Sequence, residues 1–161
     1  MYFRTPMNHS RSFIFIFSLL VFISCRHIDL YERSVSIRGH AWQNSDQPRF
    51  TFQIRDTLSR YQVYLVLRHT EKYNYTNIYV NLYVQAPGKN SFEKIPVPSL
   101  ALANSDGWLG SGMDDIYEHR IPLGEPQTLQ AGTYIFKVEQ IMREDPLQHV
   151  LNVGLRLEKK R

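Results

Sequence analysis

The chain has 161 residues, a formal net charge of +4, 43% hydrophobic and 13% aromatic residues, and a single cysteine. One cysteine rules out a disulfide framework, and the length is ample for a core that needs neither bridges nor a metal, since a domain of this size buries about two thirds of its unfolded surface. Charges of both signs are interspersed apart from Lys159-Lys160-Arg161, so no basic stripe marks a nucleic-acid partner. That terminal cluster reads as a solvated tail, with contact to anionic headgroups as the alternative.

The first apolar run, Phe13 to Ile23, falls short of the roughly 20 residues a bilayer-spanning helix needs and suits the core of a signal peptide. Arg4 and Arg11 form its positive flank, no acidic residue precedes Asp29, and Ser24 is the small residue required beside a cut. Phe22-Ile23-Ser24-Cys25 resembles the bacterial lipobox, with Phe22 in place of the usual Leu. Cleavage there leaves Cys25 as the acylated N-terminus, and two or more chains on it give durable membrane anchoring where one does not. Residues 1–24 then form the lipoprotein signal peptide, 25–33 the lipidated N-terminus and tether, and 34–161 the folded domain. With 17 of the 19 basic and all 15 acidic residues retained, the charge falls from +4 to +2.

Past the tether the apolar residues alternate with period two, the signature of half-buried strands. Ser34 to Arg38, Arg49 to Arg55, Tyr61 to Thr70 and Asn77 to Gln85 follow this pattern. Phe50, Phe52 and Ile54 share one face, as do Tyr61, Val63, Leu65 and Leu67, and again Ile78, Val80, Leu82 and Val84. Gln43 to Pro48 and Pro87-Gly88-Lys89-Asn90 are turn-rich connections. Phe92 to Pro98 is held by its two prolines to an edge or an irregular path, and Leu100 to Ala103 continues it before the turn Asn104-Ser105-Asp106-Gly107. Trp108 to Tyr117, with Gly110, Gly112 and an acidic pair, reads as a loop leading into at most one helical turn. Gly132 to Gln140 and Val150 to Glu158 close the chain. About eight short strands without an amphipathic helix predict an all-β antiparallel sandwich, and within that class a jelly roll.

The loop from Gly107 to His119 is the densest candidate for chemistry. Asp114, Asp115 and Glu118 suggest calcium, but the acidic ladder of an EF-hand loop is absent, and the glycines match neither a phosphate loop nor a dinucleotide fingerprint. A structural reading has Gly110 and Gly112 easing the backbone while Trp108 and Tyr117 pack on the sandwich. His27, His40, His69, His119 and His149 lack the spacing that sets two imidazoles on one helix face. No Gly-x-Ser-x-Gly elbow is present, so no catalytic set, metal site or cofactor is expected. Tyr73, Tyr75, Tyr79 and Tyr83 offer an aromatic face, and Trp108, Tyr117, Tyr79 and Tyr83 are the candidate contacts for a protein partner or a glycan.

Trp108 to Glu118, Gly132-Thr133-Tyr134, Gln140-Ile141-Met142-Arg143 and Val153 to Glu158 together resemble the gliding-motility lipoprotein family GldH of Bacteroidetes. Tyr73-Asn74-Tyr75-Thr76-Asn77 matches a further family stretch but departs at Asn74, where Pro is expected. The resemblance covers nearly all of the mature chain. It implies a membrane-anchored, non-enzymatic component of the gliding and type IX secretion apparatus, without catalytic residues, acting on other envelope or motility proteins. Two other functions are weighed. One is a lipid-anchored carbohydrate-binding module. The other is a glycoside hydrolase using Asp114 or Asp115 with Glu118, which suffers because adjacent loop residues seldom hold two carboxyls about 5 to 5.5 Å apart across a bond. Arg26-His27-Ile28-Asp29-Leu30 lacks an acidic surface-export cluster, so the expected location is the cell envelope with the domain facing the periplasm.

Overall fold

The computed structural model describes residues 30–160, so the expected signal peptide over 1–24 and Cys25 lie outside the described residues. Nine strands of three residues or more build two antiparallel sheets. In chain order they are β1 (Leu30–Ser36), β2 (Arg49–Ile54), β3 (Arg60–Thr70), β4 (Val80–Gln85), β5 (Glu93–Ile95), β6 (Ser111–Met113), β7 (Ile116–Pro122), β8 (Gly132–Gln140) and β9 (Val150–Lys160). The front sheet runs β1-β9-β3-β7-β6 and the back sheet β2-β8-β4-β5. Apart from β6, which only returns onto β7 as a hairpin, the chain changes sheet at every connection except β4 to β5. That leaves eight strands in two four-stranded sheets with jelly-roll connectivity, as the alternation predicts. Among the described residues there is no α-helix, only a 3-10 turn at Arg38–His40.

The inward residues of the two sheets meet in one core. Tyr61, Val63, Leu65 and Leu67 of β3 with Val153, Leu155 and Leu157 of β9 face Phe50, Phe52 and Ile54 of β2, Val80 and Leu82 of β4, and Tyr134, Phe136 and Val138 of β8. Phe52 meets Phe136 edge to face with ring centres 5.9 Å apart, a geometry that aligns ring edge with ring face. A one-residue slip in any of these strands would turn its whole apolar set outward, which is why the register is firmly set.

Four details depart from the expectation. β1 begins at Leu30 and pairs Leu30 to Arg33 with Glu158 to Leu155, so residues 30–33, expected as tether, belong to the sheet. Trp108 to Tyr117 is not a loop with a helical turn: Gly107–Trp108 pairs with Ala103–Asn104, and β6 and β7 form a hairpin through Asp114, whose φ is 53°. The strand expected over 77–85 is interrupted at Tyr79, with Asn77–Ile78 pairing instead with Leu100–Ala101. Leu100 to Ala103 therefore leaves β5 rather than extending it.

Candidate functional site

β7 lies beside β3 in a register that sets Tyr117 opposite His69 and His119 opposite Leu67. His69 takes the next inward position after Leu67, and it is fully buried while His119 is 3% exposed. The two imidazoles stack with centres 4.9 Å apart and planes 15° off parallel. His69 Nδ1 lies 2.7 Å from the Thr70 carbonyl oxygen, which can only accept, so this nitrogen carries the proton. Burial favours the neutral form of both rings; His69 Nε2 is then the acceptor, and His119 Nε2–H donates to it at 2.8 Å.

An aromatic wall encloses the pair. Trp108 stands edge-on to His69 at 4.5 Å and lies 5.6 Å from Tyr117, Tyr117 stacks over His69 at 5.9 Å, and Tyr73 approaches His69 at 5.0 Å. Burial pushes the His119 imidazole down to about 4, with His69 beside it adding to the fall. Burial likewise lowers His69, against the opposing bond to Thr70. A neutral, desolvated imidazole pair of this kind is a structural latch that resists charging. Gly110 backs directly onto it: a Cβ there would sit 2.5 Å from the Glu118 carbonyl oxygen and 2.9 Å from His119 Cε1. Gly110→Ala is expected to cost about 1 to 3 kcal/mol by overpacking, read as a lower urea midpoint with displaced His119 resonances.

Trp108 and Tyr117, two of the four candidate contacts, are thus together and half-buried in this cluster. Tyr79 and Tyr83 are elsewhere. Tyr79 is 45% exposed between the Asn77–Ile78 ladder and β4. Tyr83 lies on the outer face of the back sheet, where its hydroxyl donates to Glu139 Oε2 at 2.8 Å beside Asn81 Nδ2 at 2.9 Å, and Lys137 Nζ sits 4.4 Å over its ring. Glu118 is ion-paired to Arg120 at 2.6 Å and to Arg68 at 3.7 Å on the outer face of the front sheet, where it lines a shallow pocket with Asp114 and Asp115. Among the described residues no three His, Cys, Asp or Glu side chains are grouped to hold a metal.

The sandwich is also open along one side. A groove of about 780 Å³ runs between β5 and the 123–130 segment, floored by Val63, Leu82, Val84 and Phe136 and rimmed by Lys89, Lys94 and Glu125. Sequence reasoning missed both this groove and the histidine pair. The signal for His69 was its place in the β3 alternation, whereas His119 required β7, and the groove depends on how far apart the two sheets stand.

The match to the GldH lipoprotein family model runs over residues 29–157. The chain belongs to the GldH family. It is 25% identical over 162 residues to the gliding motility lipoprotein GldH of Flavobacterium johnsoniae, covering 96% of this chain and 99% of that one. It is 26% identical to a GldH homolog of Christiangramia forsetii over 155 residues, covering 91% and 94%. Membership makes this a motility-associated lipoprotein held on the cell-envelope membrane. Among solved structures, a carbohydrate-binding module, CBM28, specific for non-crystalline cellulose aligns over 81% of this chain and 73% of its own at 10% identity and a TM-score of 0.46. The VP2 subviral particle of infectious bursal disease virus aligns over 81% of this chain and 32% of its own at a TM-score of 0.34. At these values neither likeness bears on what the GldH sandwich binds.

Proposed function

We propose that the protein is a non-enzymatic component of the gliding motility and type IX secretion envelope machinery. In this reading Cys25 is acylated after removal of residues 1–24, and the sandwich faces the periplasm and acts by binding other envelope or motility proteins. The observation that carries it is the open groove beside β5. Its floor is apolar, its rim carries both signs of charge, and β5 is a three-residue edge strand. Edge strands beside apolar grooves receive extended segments of partner chains through main-chain hydrogen bonds. Photo-crosslinking from position 94 in intact cells is expected to trap a specific envelope protein. Recovery of no specific adduct would count against the reading.

A lipid-anchored carbohydrate-binding module is the second reading. Its support is the outer face of the back sheet, where Tyr83, Asn81, Glu139 and Lys137 form a polar constellation around one aromatic ring. Glycan-array binding lost in Tyr83→Ala would favour it, and an array without hits would remove it.

A further inference from the structure

We infer that the end of the sandwich formed by the 55–60 turn and the last residues of β9 lies against the membrane and contacts anionic lipid headgroups, with Leu58 entering the interface. This rests on the Cys25 anchor proposed above. Only four residues separate Cys25 from Leu30, so even a fully extended chain lets Leu30 stand no more than about 18 Å from the acylated residue. The direction of the entering chain is set by pairing. Leu30 lies opposite Glu158, and β1 runs antiparallel to β9, so β1 starts at the end of the sheet where Lys159 and Lys160 lie.

What lies at that end fits a lipid surface. Lys160 is directly opposite Arg60 across the β9–β3 ladder, which gathers two basic side chains at this end of the sheet; Lys160 pairs with Glu158, and exposed Arg60 donates to the Pro126 carbonyl oxygen at 2.6 Å, a neutral acceptor that leaves its charge in place. Arg60 follows a tight turn in which the Asp56 carboxylate accepts from the Leu58 and Ser59 amides at 2.8 and 3.3 Å. The same carboxylate takes the Lys159 ammonium, so the turn is pinned to the end of β9 rather than left loose. Its tip is Leu58, 92% exposed and the most exposed large hydrophobic side chain among the described residues. Arg55, also exposed, flanks it. Glu158 is neutralised by Lys160 at 2.7 Å and Arg156 at 2.9 Å, and Glu125 is the remaining exposed acid of the adjoining loop. An apolar tip flanked by the exposed Arg55 and Arg60 suits a bilayer interface, where the side chain enters the boundary region and the charges meet acidic headgroups within a Debye length.

The chain's one natural cysteine is the acylated one, so Leu58→Cys supplies a unique free thiol for an environment-sensitive nitrobenzoxadiazole label. Asn74→Cys, exposed in the turn after β3 at the opposite end, is the control. Each full-length lipidated variant is reconstituted into vesicles of phosphatidylethanolamine and phosphatidylglycerol and floated on a density gradient. The expected result is emission from position 58 at least about twofold brighter and blue-shifted relative to position 74, with the difference lost in Arg60→Glu/Lys160→Glu. Melting curves check that this variant remains folded. Vesicles that float with equal emission at the two positions, or a difference the charge reversal leaves intact, overturn the inference while the anchor stands. Protein that fails to float overturns the anchor and the inference together.

Discussion

Acidification from pH 7.5 to pH 5 is expected to cost the folded domain about 2 kcal/mol through His119 alone, with His69 adding in the same direction. Unfolded histidine takes up a proton near 6.5, whereas His119 in the fold resists until about 4. Across that window the unfolded chain binds more protons than the native one, so stability falls as the pH falls. Nothing is lost well above 6.5, and no further loss accrues below about 4. The carboxylates whose pKa values the fold lowers, Asp56, Glu139 and Glu158, act differently. Their contribution is present above the unfolded carboxylate range and fades only as the pH drops through and below it. Between 6.5 and 5 the buried pair therefore dominates. Urea midpoints at pH 7.5 and 5 should separate clearly for the native chain and nearly coincide for His69→Leu/His119→Leu, because both partners of the buried hydrogen bond are replaced by apolar groups of similar size and the Thr70 carbonyl that His69 also served still accepts from the Tyr73 amide at 3.1 Å. If the double variant keeps the full acid sensitivity, other groups carry it and the latch is not the cause.

The same pair shows where sequence reading reaches its limit. Strands β2, β3 and β8 are legible because Phe50/Phe52/Ile54, Tyr61/Val63/Leu65/Leu67 and Tyr134/Phe136/Val138 alternate without interruption, and β4 and β9 because most of their length does, although the pattern breaks at Tyr79 and at a bulge between Val150 and Asn152. Jelly-roll connectivity followed from the count of such strands. The β6–β7 hairpin was not legible. Ser111-Gly112-Met113 has no β-forming residue, Asp114-Asp115 carries turn chemistry, and the hairpin exists because β7 finds a partner in β3. Without β7, His119 has no face, and the spacing of His69 and His119 in the chain reads as scatter. Tertiary pairing, not local propensity, makes the two histidines neighbours. Leu30 to Arg33 reads as tether for a related reason: Leu-Tyr-Glu-Arg has no period-two alternation, and such a stretch on an edge strand looks like a linker until the C-terminal strand pairs with it. Tyr79, Tyr83, Trp108 and Tyr117 are alike as contact candidates by aromatic character, but the fold divides them between an exposed site, a back-sheet network and the histidine wall.

Trp42→Ala is expected to destabilise the domain by about 3 to 5 kcal/mol, the range for truncating a fully buried aromatic. Trp42 has no exposed surface, and its position makes the loss more than one of volume. It belongs to a ladder of only two residues per strand, Ala41–Trp42 with Leu147–Gln148, which is too short to hold by backbone pairing alone. What fixes it is burial of Trp42 and Leu147, both at 0% exposure. Two further bonds converge on the tryptophan: its Nε1–H donates to the Asp46 carbonyl at 2.8 Å, and its carbonyl accepts from the buried Gln140 side chain at 3.3 Å. Removing the indole therefore leaves a cavity and orphans the Asp46 carbonyl in one step, loosening the 43–46 turn that leads into β2. Trp42→Phe keeps most of the volume but not the donor and should lose less than half as much. Trp108→Ala, at a half-buried site beside His69, should fall below both in cost. Urea titrations of the three variants at pH 7.5, with unchanged slope and midpoints ordered Trp42→Ala lowest and Trp108→Ala highest, would establish Trp42 as the residue that ties the short ladder to the core. A Trp42→Ala midpoint within error of the native chain would show that the backbone and Leu147 hold the ladder without it.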